Sequence, residues 1–161
     1  MHYLFVVISA LTLLFLAPPS LAKRCEISTP EFKRMETVKL MFVGKEQTFN
    51  VKFADTSRKR AAGFQYICDE TIATESILFL FRSQIQPAFH MRNVVAALDI
   101  AFIDVKGKIV SIQTMQPYVS GELAKPTYSP KEPVIAALET YGGFFKEQGV
   151  DVGMEVRWSV K

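Results

Sequence analysis

Residues 87–104 read PAFHMRNVVAALDIAFID. This stretch places polar residues of several chemical kinds between two apolar runs. Pro87 stands at the start of the first run, where a strand tolerates proline. The second run continues as a strand to Val105, and a Lys106–Gly107 turn leads into a further strand over 108–115, because glycine can adopt positive φ. We interpret the stretch as two strands whose apolar faces fill the core and whose polar side chains edge a shallow pocket.

Apolar periodicity outside this stretch predicts the remaining strands. Alternating or continuous apolar runs cover 38–42, 49–53, 77–81, 134–138 and 154–158, the fourth of which also suits a short helix. Helical pieces are predicted after Asp55, ending at Gly63, and over 141–148. The sequence therefore predicts a mainly β fold, either a compact β-sandwich or a squat barrel, with about seven to eight strands and two short helices.

Composition favours one globular domain without a nucleic-acid partner. The chain has 161 residues, thirteen of them Phe, and a net charge of +3. That length points to one domain, and the apolar content suffices for a sizeable core. The positive excess is spread along the chain and forms no basic patch of the kind that binds nucleic acid. The run Arg58-Lys59-Arg60 is typical of a solvated helix face.

The first 22 residues have the pattern of a secretory signal peptide. The apolar run from Tyr3 to Ala17 is shorter than the roughly 20 residues of a membrane span, and small residues lead to a predicted cleavage site after Ala22. The alternative is an uncleaved N-terminal anchor. Residues 23–36 are predicted to be a loosely held polar lead-in, and 37–161 a single β-rich domain. We expect a periplasmic or secreted bacterial protein with no stable membrane span after cleavage.

Two cysteines, Cys25 and Cys68, remain after removal of the leader. An even number of cysteines in an exported chain favours a disulfide. Closing a loop of this length would contribute about 4 kcal/mol in the chain-entropy description. The alternative is two unpaired thiols, since a disulfide requires that the two Cα atoms approach within about 7 Å.

Catalytic and metal-binding motifs are absent from the sequence. It has no glycine-rich phosphate loop, no His-Glu-x-x-His, no Cys-x-x-Cys and no nucleophile elbow. Copper handling by His90 with Met91, Met115 and Cys68 is an alternative hypothesis, because these are soft ligands. Adjacent residues on a strand point to opposite faces, which places Met91 in the core and away from His90. We predict no metal and no cofactor.

Polar side chains around the central stretch are the candidate binding residues. They are Arg60, His90, Arg92, Asn93 and Asp99. A fixed guanidinium and an amide near a carboxylate can hold an anionic or sugar-like ligand, although the same residues also suit a structural ion pair with an Asn turn. Asp99 lies between two apolar residues, so it is predicted to be partly buried and to need partners. It would either pin a loop or act as a site acid.

Three function hypotheses follow. The first is an exported, non-enzymatic domain that binds a small ligand or an envelope protein. The second is a hydrolase or lyase that uses Asp99 with Arg60 or His90. Asp104 and Glu139 are further acidic candidates, but no pair is fixed at the separation that a glycosidase requires. The third is the copper hypothesis.

Motifs from Phe49 to Trp158 resemble a known family. VKFADTSRKRAAGF carries Arg60 and Gly63 at the positions of an Arg-containing helix that ends in Gly. SILF at 76–79, FHMRN at 89–93, LDIAFIDVKGKIVSI at 98–112, ALET at 137–140 and GVDVGMEV at 149–156 follow in order. This series resembles domain of unknown function 192. The resemblance implies a compact mainly β fold, often exported, and no established reaction.

Several positions depart from the family pattern. His90 stands where Trp is usual, Val94 replaces Thr, and Gln65 replaces Met. Ser76 and Met154 replace Gly and Asp. These changes alter the central polar signature, so a ligand site shared with the family would be modified in this chain.

Overall fold

A computed structural model describes residues 25–118, 121, 123 and 125–159. The predicted signal peptide lies outside these residues. The described strands are β1 (Glu36–Phe42), β2 (Thr48–Ala54), β3 (Ile77–Ile85), β4 (Phe89–His90), β5 (Leu98–Ile103), β6 (Ile109–Met115), β7 (Thr127–Tyr128), β8 (Val134–Tyr141) and β9 (Val156–Ser159). The described helices are α1 (Pro30–Lys33), α2 (Ser57–Ala62), α3 (Asp69–Ile72) and α4 (Phe144–Glu147). None of these helices has the length and apolarity to cross a bilayer.

Seven of the strands form one curled sheet in the order β6-β5-β8-β3-β2-β1-β9. Neighbouring strands are antiparallel except β2 and β3, which run parallel, with Lys52 opposite Ile77. Parallel strands need a crossover connection, and α2 and α3 lie in this one. The crossover therefore carries α2 over the sheet, next to β3.

Backbone hydrogen bonds join the two outer strands of this sheet and give it the shape of a squat barrel. The N–H of Ile109 donates to the carbonyl of Met154 at 2.9 Å, and the N–H of Val156 donates to the carbonyl of Gly107 at 2.7 Å. Gly107 has φ +79°, and a Cβ there would lie 3.0 Å from the carbonyl oxygen of Val156. Glycine is required at this approach because a side chain would collide with the backbone. The mainly β prediction is confirmed, in its barrel form.

Aromatic and aliphatic side chains fill the two faces of the curled sheet. All six residues of β5 are buried, and all of them except Asp99 are apolar. One cluster contains Phe64, Phe79 and Phe102. The other contains Phe42, Phe53 and Phe145. Because both faces of the sheet carry apolar side chains, other elements must shield both faces from solvent. The helices α2 and α4 contribute to this shielding.

The segment 89–93 departs from the predicted strand. Only Phe89 and His90 are extended, and they pair with β7 in a separate two-stranded sheet. The chain turns immediately afterwards, with Asn93 at φ +58°. Asparagine tolerates this left-handed conformation better than most residues, which permits a turn where apolar alternation alone indicated a strand.

The polar lead-in is held more tightly than the sequence indicated. It contains α1, whose Phe32 is buried, and the following Met35 is buried too. Cys25 forms a disulfide with Cys68, with 4.9 Å between the two Cα atoms. The α1 and α3 helices have four residues each, which is too short for a helical period to be visible in the sequence.

Candidate functional site

A half-open cavity of about 250 Å³ lies between α2, β3, β4 and β8. The residues that matter for its chemistry are Arg60, Gln65, Phe79, Phe89, His90 and Glu139. The crossover connection brings α2 to the cavity, and the departure of residues 89–90 from the main sheet supplies its opposite wall. Residues from distant parts of the sequence therefore meet at one concave surface.

Glu139 lies at the base of the cavity. It belongs to β8, where it pairs with Ile77 of β3 on one side and Ile100 of β5 on the other. Only 5% of the residue is exposed. A Cβ added to Gly63 would lie 3.8 Å from Glu139 Oε2, so the glycine leaves the carboxyl group open to the cavity. Burial raises the pKa of Glu139 to about 8, because the charged form is poorly solvated there.

The Glu139 carboxyl has no partner among the described residues. None of the side-chain hydrogen bonds or ion pairs within 25–118 and 125–159 involves it, and burial is the only cause of its raised pKa. Buried polar groups in native proteins nearly always have a hydrogen-bond partner. No fully enclosed side-chain oxygen of the described residues lacks a partner, so the Glu139 oxygens keep access to the half-open cavity. A carboxyl that the protein leaves without a partner and open to an apolar cavity is the strongest chemical feature of the described fold.

Aromatic rings form the apolar wall of the cavity. The rings of Phe79 and Phe89 meet edge to face with centroids 5.1 Å apart. Phe89 also contacts Phe102 of the core, with centroids 5.8 Å apart. Edge-to-face packing of this kind restricts the rings and stabilises the pair by about 1 kcal/mol beyond area burial. The wall is thus rigid and continuous with the core.

Arg60 is fixed at the edge of the cavity by its own hydrogen bonds. Its Nη1 donates to the backbone carbonyls of Asp55 at 2.8 Å and Leu80 at 3.0 Å. The guanidinium also lies over the Phe81 ring, 5.8 Å from the centroid. These contacts use one nitrogen, and Arg60 has no carboxylate partner within the described part of the chain. Its remaining N–H donors are available to a ligand.

Arg92 and Asn93, two of the predicted binding residues, support the cavity wall from outside. Arg92 Nε and Asn93 Nδ2 both donate to Gln65 Oε1, at 3.4 and 3.3 Å. The backbone carbonyl of Asn93 also accepts from the N–H of Tyr66 at 2.8 Å. His90 is exposed at the cavity mouth. Of the five predicted site residues, Arg60 and His90 line the cavity. Arg92 and Asn93 support Gln65, which is itself a lining residue.

Asp99 lies away from the cavity, and both of its oxygens are occupied. Oδ1 accepts from the Thr114 hydroxyl at 2.8 Å, and Oδ2 accepts from the N–H of Gly143 at 2.9 Å. The carboxylate therefore joins β5 to β6 and to the turn before α4. Of the two predicted roles, this geometry supports the pinning of a loop and argues against a site acid acting with Arg60 or His90.

The geometry also argues against the copper hypothesis. Met91 and Met115 are buried in the same core cluster, Cys68 is bonded to Cys25, and His90 is exposed. Across the described residues, the structure assembles no group of three His, Cys, Asp or Glu side chains that could hold a metal ion. The soft ligands are thus used for packing and for the disulfide.

Another concave surface, of about 650 Å³, runs along β6 and the turn at Gly153. Lys108, Lys131 and Glu132 on this surface are exposed to solvent, and Asp104 is half-buried. The surface offers no buried polar group within the described ranges, so it indicates a ligand less clearly than the cavity over Glu139 does.

In the sequence Glu139 is one of several acidic residues and is not among the five candidate binding residues, whereas in the structure it lines the cavity. The available signal was its position in VIAALETY, where a single acid interrupts a strand that is otherwise mostly apolar. A strand of that kind in a central position of a sheet is buried on both faces, so an acid within it must face either a partner or a cavity. The cavity itself is not visible in the sequence.

Comparisons with known proteins agree with this fold. Residues 39–158 match the family domain of unknown function 192, described as "Uncharacterized ACR". A candidate transcription regulator from Sinorhizobium meliloti 1021 has a solved structure with a TM-score of 0.66, 24% identity, and coverage of 83% of this chain and 97% of its own. A protein of unknown function from Novosphingobium aromaticivorans DSM 12444 gives a TM-score of 0.65, 24% identity, and coverage of 88% and 100%. At this identity both show the fold alone. No curated protein matches the chain.

Proposed function

The chain belongs to the domain of unknown function 192 family, and from that premise we propose that it is an exported, non-enzymatic domain that binds a small ligand in the cavity over Glu139. The family supplies no reaction, so the proposal is built on the residues of this chain. A cavity with an apolar wall and a few convergent polar groups is the usual form of a small-molecule site.

The observation that carries the proposal is the unpartnered carboxyl of Glu139. The apolar surroundings solvate this carboxyl poorly, as its raised pKa shows. A ligand that hydrogen bonds to it would compensate for this poor solvation. The rings of Phe79 and Phe89 would bury the apolar part of the same ligand.

A binding role is supported over catalysis by the arrangement of the titratable groups. General acid–base or nucleophilic catalysis needs two reactive groups within hydrogen-bonding reach, or one group oriented by another. Among the described residues Glu139 has no such neighbour, and Asp99 is engaged elsewhere. The cavity thus has anchors for a ligand but no assembled pair of catalytic groups.

Export is supported by the leader pattern and by the disulfide. Residues 1–22 have an apolar run followed by small residues at a cleavage position. The bond between Cys25 and Cys68 suits an oxidising compartment, because disulfides are rare in the reducing cytosol. Both features support a periplasmic or secreted location. N-terminal sequencing of the chain recovered from the periplasm of an expressing bacterium should begin at Lys23, and recovery only from the cytosol, with Met1 retained, would contradict export.

The binding proposal is tested by a thermal-shift screen of small molecules against the protein recovered in this way. A compound that binds only the folded state raises the melting temperature. Ala88 is exposed at the cavity mouth, so Ala88→Trp should block entry without disturbing the core. Ala73→Trp, at an exposed position at the end of α3, is the matched control.

The expected result is at least one compound whose shift is lost in Ala88→Trp and retained in Ala73→Trp. A broad library without a hit, or hits that Ala88→Trp leaves unchanged, would contradict a ligand site over Glu139.

A further inference from the structure

We propose that the disulfide between Cys25 and Cys68 is a positioning device for the cavity. It ties down a short N-terminal segment that fixes the loop carrying Gln65, so the cavity wall is complete only in the oxidised protein. The inference rests on the proposed function, because it concerns the regulation of the same site.

The loop after α2 forms one side of the cavity. Gly63, Phe64 and Gln65 line the cavity, and Cys68 follows three residues later. Between them Tyr66 has φ +63°. A residue with a Cβ keeps such a left-handed conformation only where surrounding contacts hold it. The shape of this part of the wall therefore depends on the neighbours of the loop.

One neighbour is the N-terminal segment 25–27, here called the strap. The N–H of Glu26 donates to the carbonyl of Tyr66 at 2.6 Å, and the N–H of Cys68 donates to the carbonyl of Glu26 at 3.0 Å. The disulfide adds a covalent link at the same place. The strap thus holds the end of the loop through its backbone and through one sulfur–sulfur bond.

The other neighbour is the turn at 92–93. Gln65 Oε1 accepts from Arg92 Nε at 3.4 Å and from Asn93 Nδ2 at 3.3 Å. The N–H of Tyr66 donates to the carbonyl of Asn93 at 2.8 Å. Tyr66 is therefore bonded to the turn through its N–H and to the strap through its carbonyl. Loss of the strap would leave the Tyr66 backbone hydrogen bonded on one side only, directly beside Gln65 in the cavity wall.

The strap depends on the disulfide because it lies close to the chain end. Cleavage after Ala22 would make Cys25 the third residue of the mature chain. Chain ends are poorly ordered unless they are tied down. Further along the chain, Phe32 of α1 is buried and packs against Phe64, with ring centroids 5.8 Å apart. Without the bond, the strap can therefore open locally while α1 and the core stay folded.

Formation of the bond is a thiol–disulfide exchange. The two cysteine thiols lose two protons and two electrons as the sulfur–sulfur bond forms, and the disulfide of an exchange partner is reduced to two thiols. Oxidised glutathione serves as that partner in vitro, and dithiothreitol reverses the reaction by closing to its own cyclic disulfide. A chain kept in a reducing compartment would lack the complete wall, and export to an oxidising one would supply it.

Amide hydrogen exchange compares the reduced protein with a control of equal global stability. The control is Asp99→Ala, because Asp99 lies away from the cavity. Urea is added until the slowest amides of β5 exchange at the same rate in dithiothreitol-treated wild type and in oxidised Asp99→Ala, so that global unfolding contributes equally. The reporters are the hydrogen-bonded N–H groups of Tyr66 and Cys68, and those of Lys45 and Gly107, in other turns, are the internal reference.

The reporter amides should exchange at least about tenfold faster in the reduced protein than in matched Asp99→Ala, while the reference amides exchange alike. The side-chain amide signals of Gln65 should move towards those of free glutamine on reduction. Those of Gln113, which donates to the carbonyl of Ser129 at 2.8 Å, should not move. Equal exchange of the reporter amides in the two proteins would show that the disulfide acts on global stability alone and would overturn the proposal.

A second variant tests the strap with the disulfide intact. Glu26→Pro removes the N–H that donates to Tyr66, while Glu26→Ala retains it and is the matched control. Only the proline variant should speed exchange of the Tyr66 amide, again by at least about tenfold. This pair decides the question if the reduced protein does not fold, and equal rates in the two variants would contradict positioning by the strap.

The exchange measurements need no ligand, so they separate this inference from the proposed function. Faster exchange of the loop together with a screen without hits would support the coupling and overturn the ligand site. Equal exchange together with a compound that Ala88→Trp blocks would overturn the coupling and leave the ligand site in place.

Discussion

The Oδ2 atom of Asp99 accepts a hydrogen bond of 2.9 Å from the backbone N–H of Gly143, which anchors the turn before α4 to β5. The other oxygen of the same carboxylate accepts from Thr114 across the β5–β6 pair. One buried charge thus holds three parts of the chain together. This role is structural, and it makes Asp99 a stability residue.

Removing this carboxylate should destabilise the fold without affecting the cavity. Asp99→Ala should lower the free energy of unfolding by about 3 kcal/mol or more, since hydrogen bonds to a charged group contribute about 1.5–3 kcal/mol each. Urea unfolding measures the loss. Asp151→Ala, at an exposed position, is the control and should change the free energy by less than about 0.5 kcal/mol. A stable Asp99→Ala protein that had lost ligand binding would contradict the structural role.

Ionisation of Glu139 should make the fold less stable as the pH rises. Its pKa is raised from the usual 4.5 to about 8 on folding, so between these values the folded state binds a proton that the unfolded state releases. Stability from this group is therefore fully present below about pH 4.5 and is lost progressively up to about pH 8.

Glu139→Gln isolates this effect. The variant should be more stable than the wild type by roughly 3 kcal/mol at pH 7, and the difference should vanish near pH 4. Urea unfolding of both proteins from pH 4 to pH 9 measures it. Parallel stability curves for the two proteins would show that Glu139 titrates alike in the folded and unfolded states.

The disulfide should contribute substantially to stability. Cys25 and Cys68 are 43 residues apart, and opening a loop of that length lowers the free energy of unfolding by about 4 kcal/mol in the chain-entropy description. The double variant Cys25→Ser/Cys68→Ser should show this loss in urea unfolding. Wild type treated with reductant should match the double variant, and reductant should not change the variant itself. Equal stabilities of oxidised wild type and double variant would contradict the prediction.

Gly63 should be intolerant of a side chain. It ends α2 with φ +48° and ψ −139°, a conformation that is strained for residues with a Cβ. Gly63→Ala should lower the free energy of unfolding by about 1–3 kcal/mol. Gly44→Ala is the comparison, because Gly44 also has positive φ but a Cβ there meets nothing within 4 Å. Both variants should lose stability, while only Gly63→Ala should weaken the ligands found by the thermal-shift screen, because its Cβ would enter the cavity beside Glu139.

Local patterns predicted the strands that are paired within the main sheet. The alternation in 38–42 and 49–53 predicted β1 and β2, which pair with Val38 opposite Val51. The Lys106–Gly107 turn gave the β5–β6 hairpin. Partial burial of Asp99 was also predicted, because its two neighbours in the chain are apolar, and the structure buries it almost completely. These features depend on residues close together in the sequence, so the sequence contains enough information for them.

The class of the fold, the family and the β5–β6 hairpin could therefore be predicted from the sequence, because side-chain alternation and turn residues act over a few positions. The approach of Gly107 to Val156, which closes the barrel, and the position of Gly63 over Glu139 are visible only in the folded chain. Each of these contacts joins residues from distant parts of the chain. Their formation depends on how the whole sheet curls and packs, which no short stretch of sequence specifies.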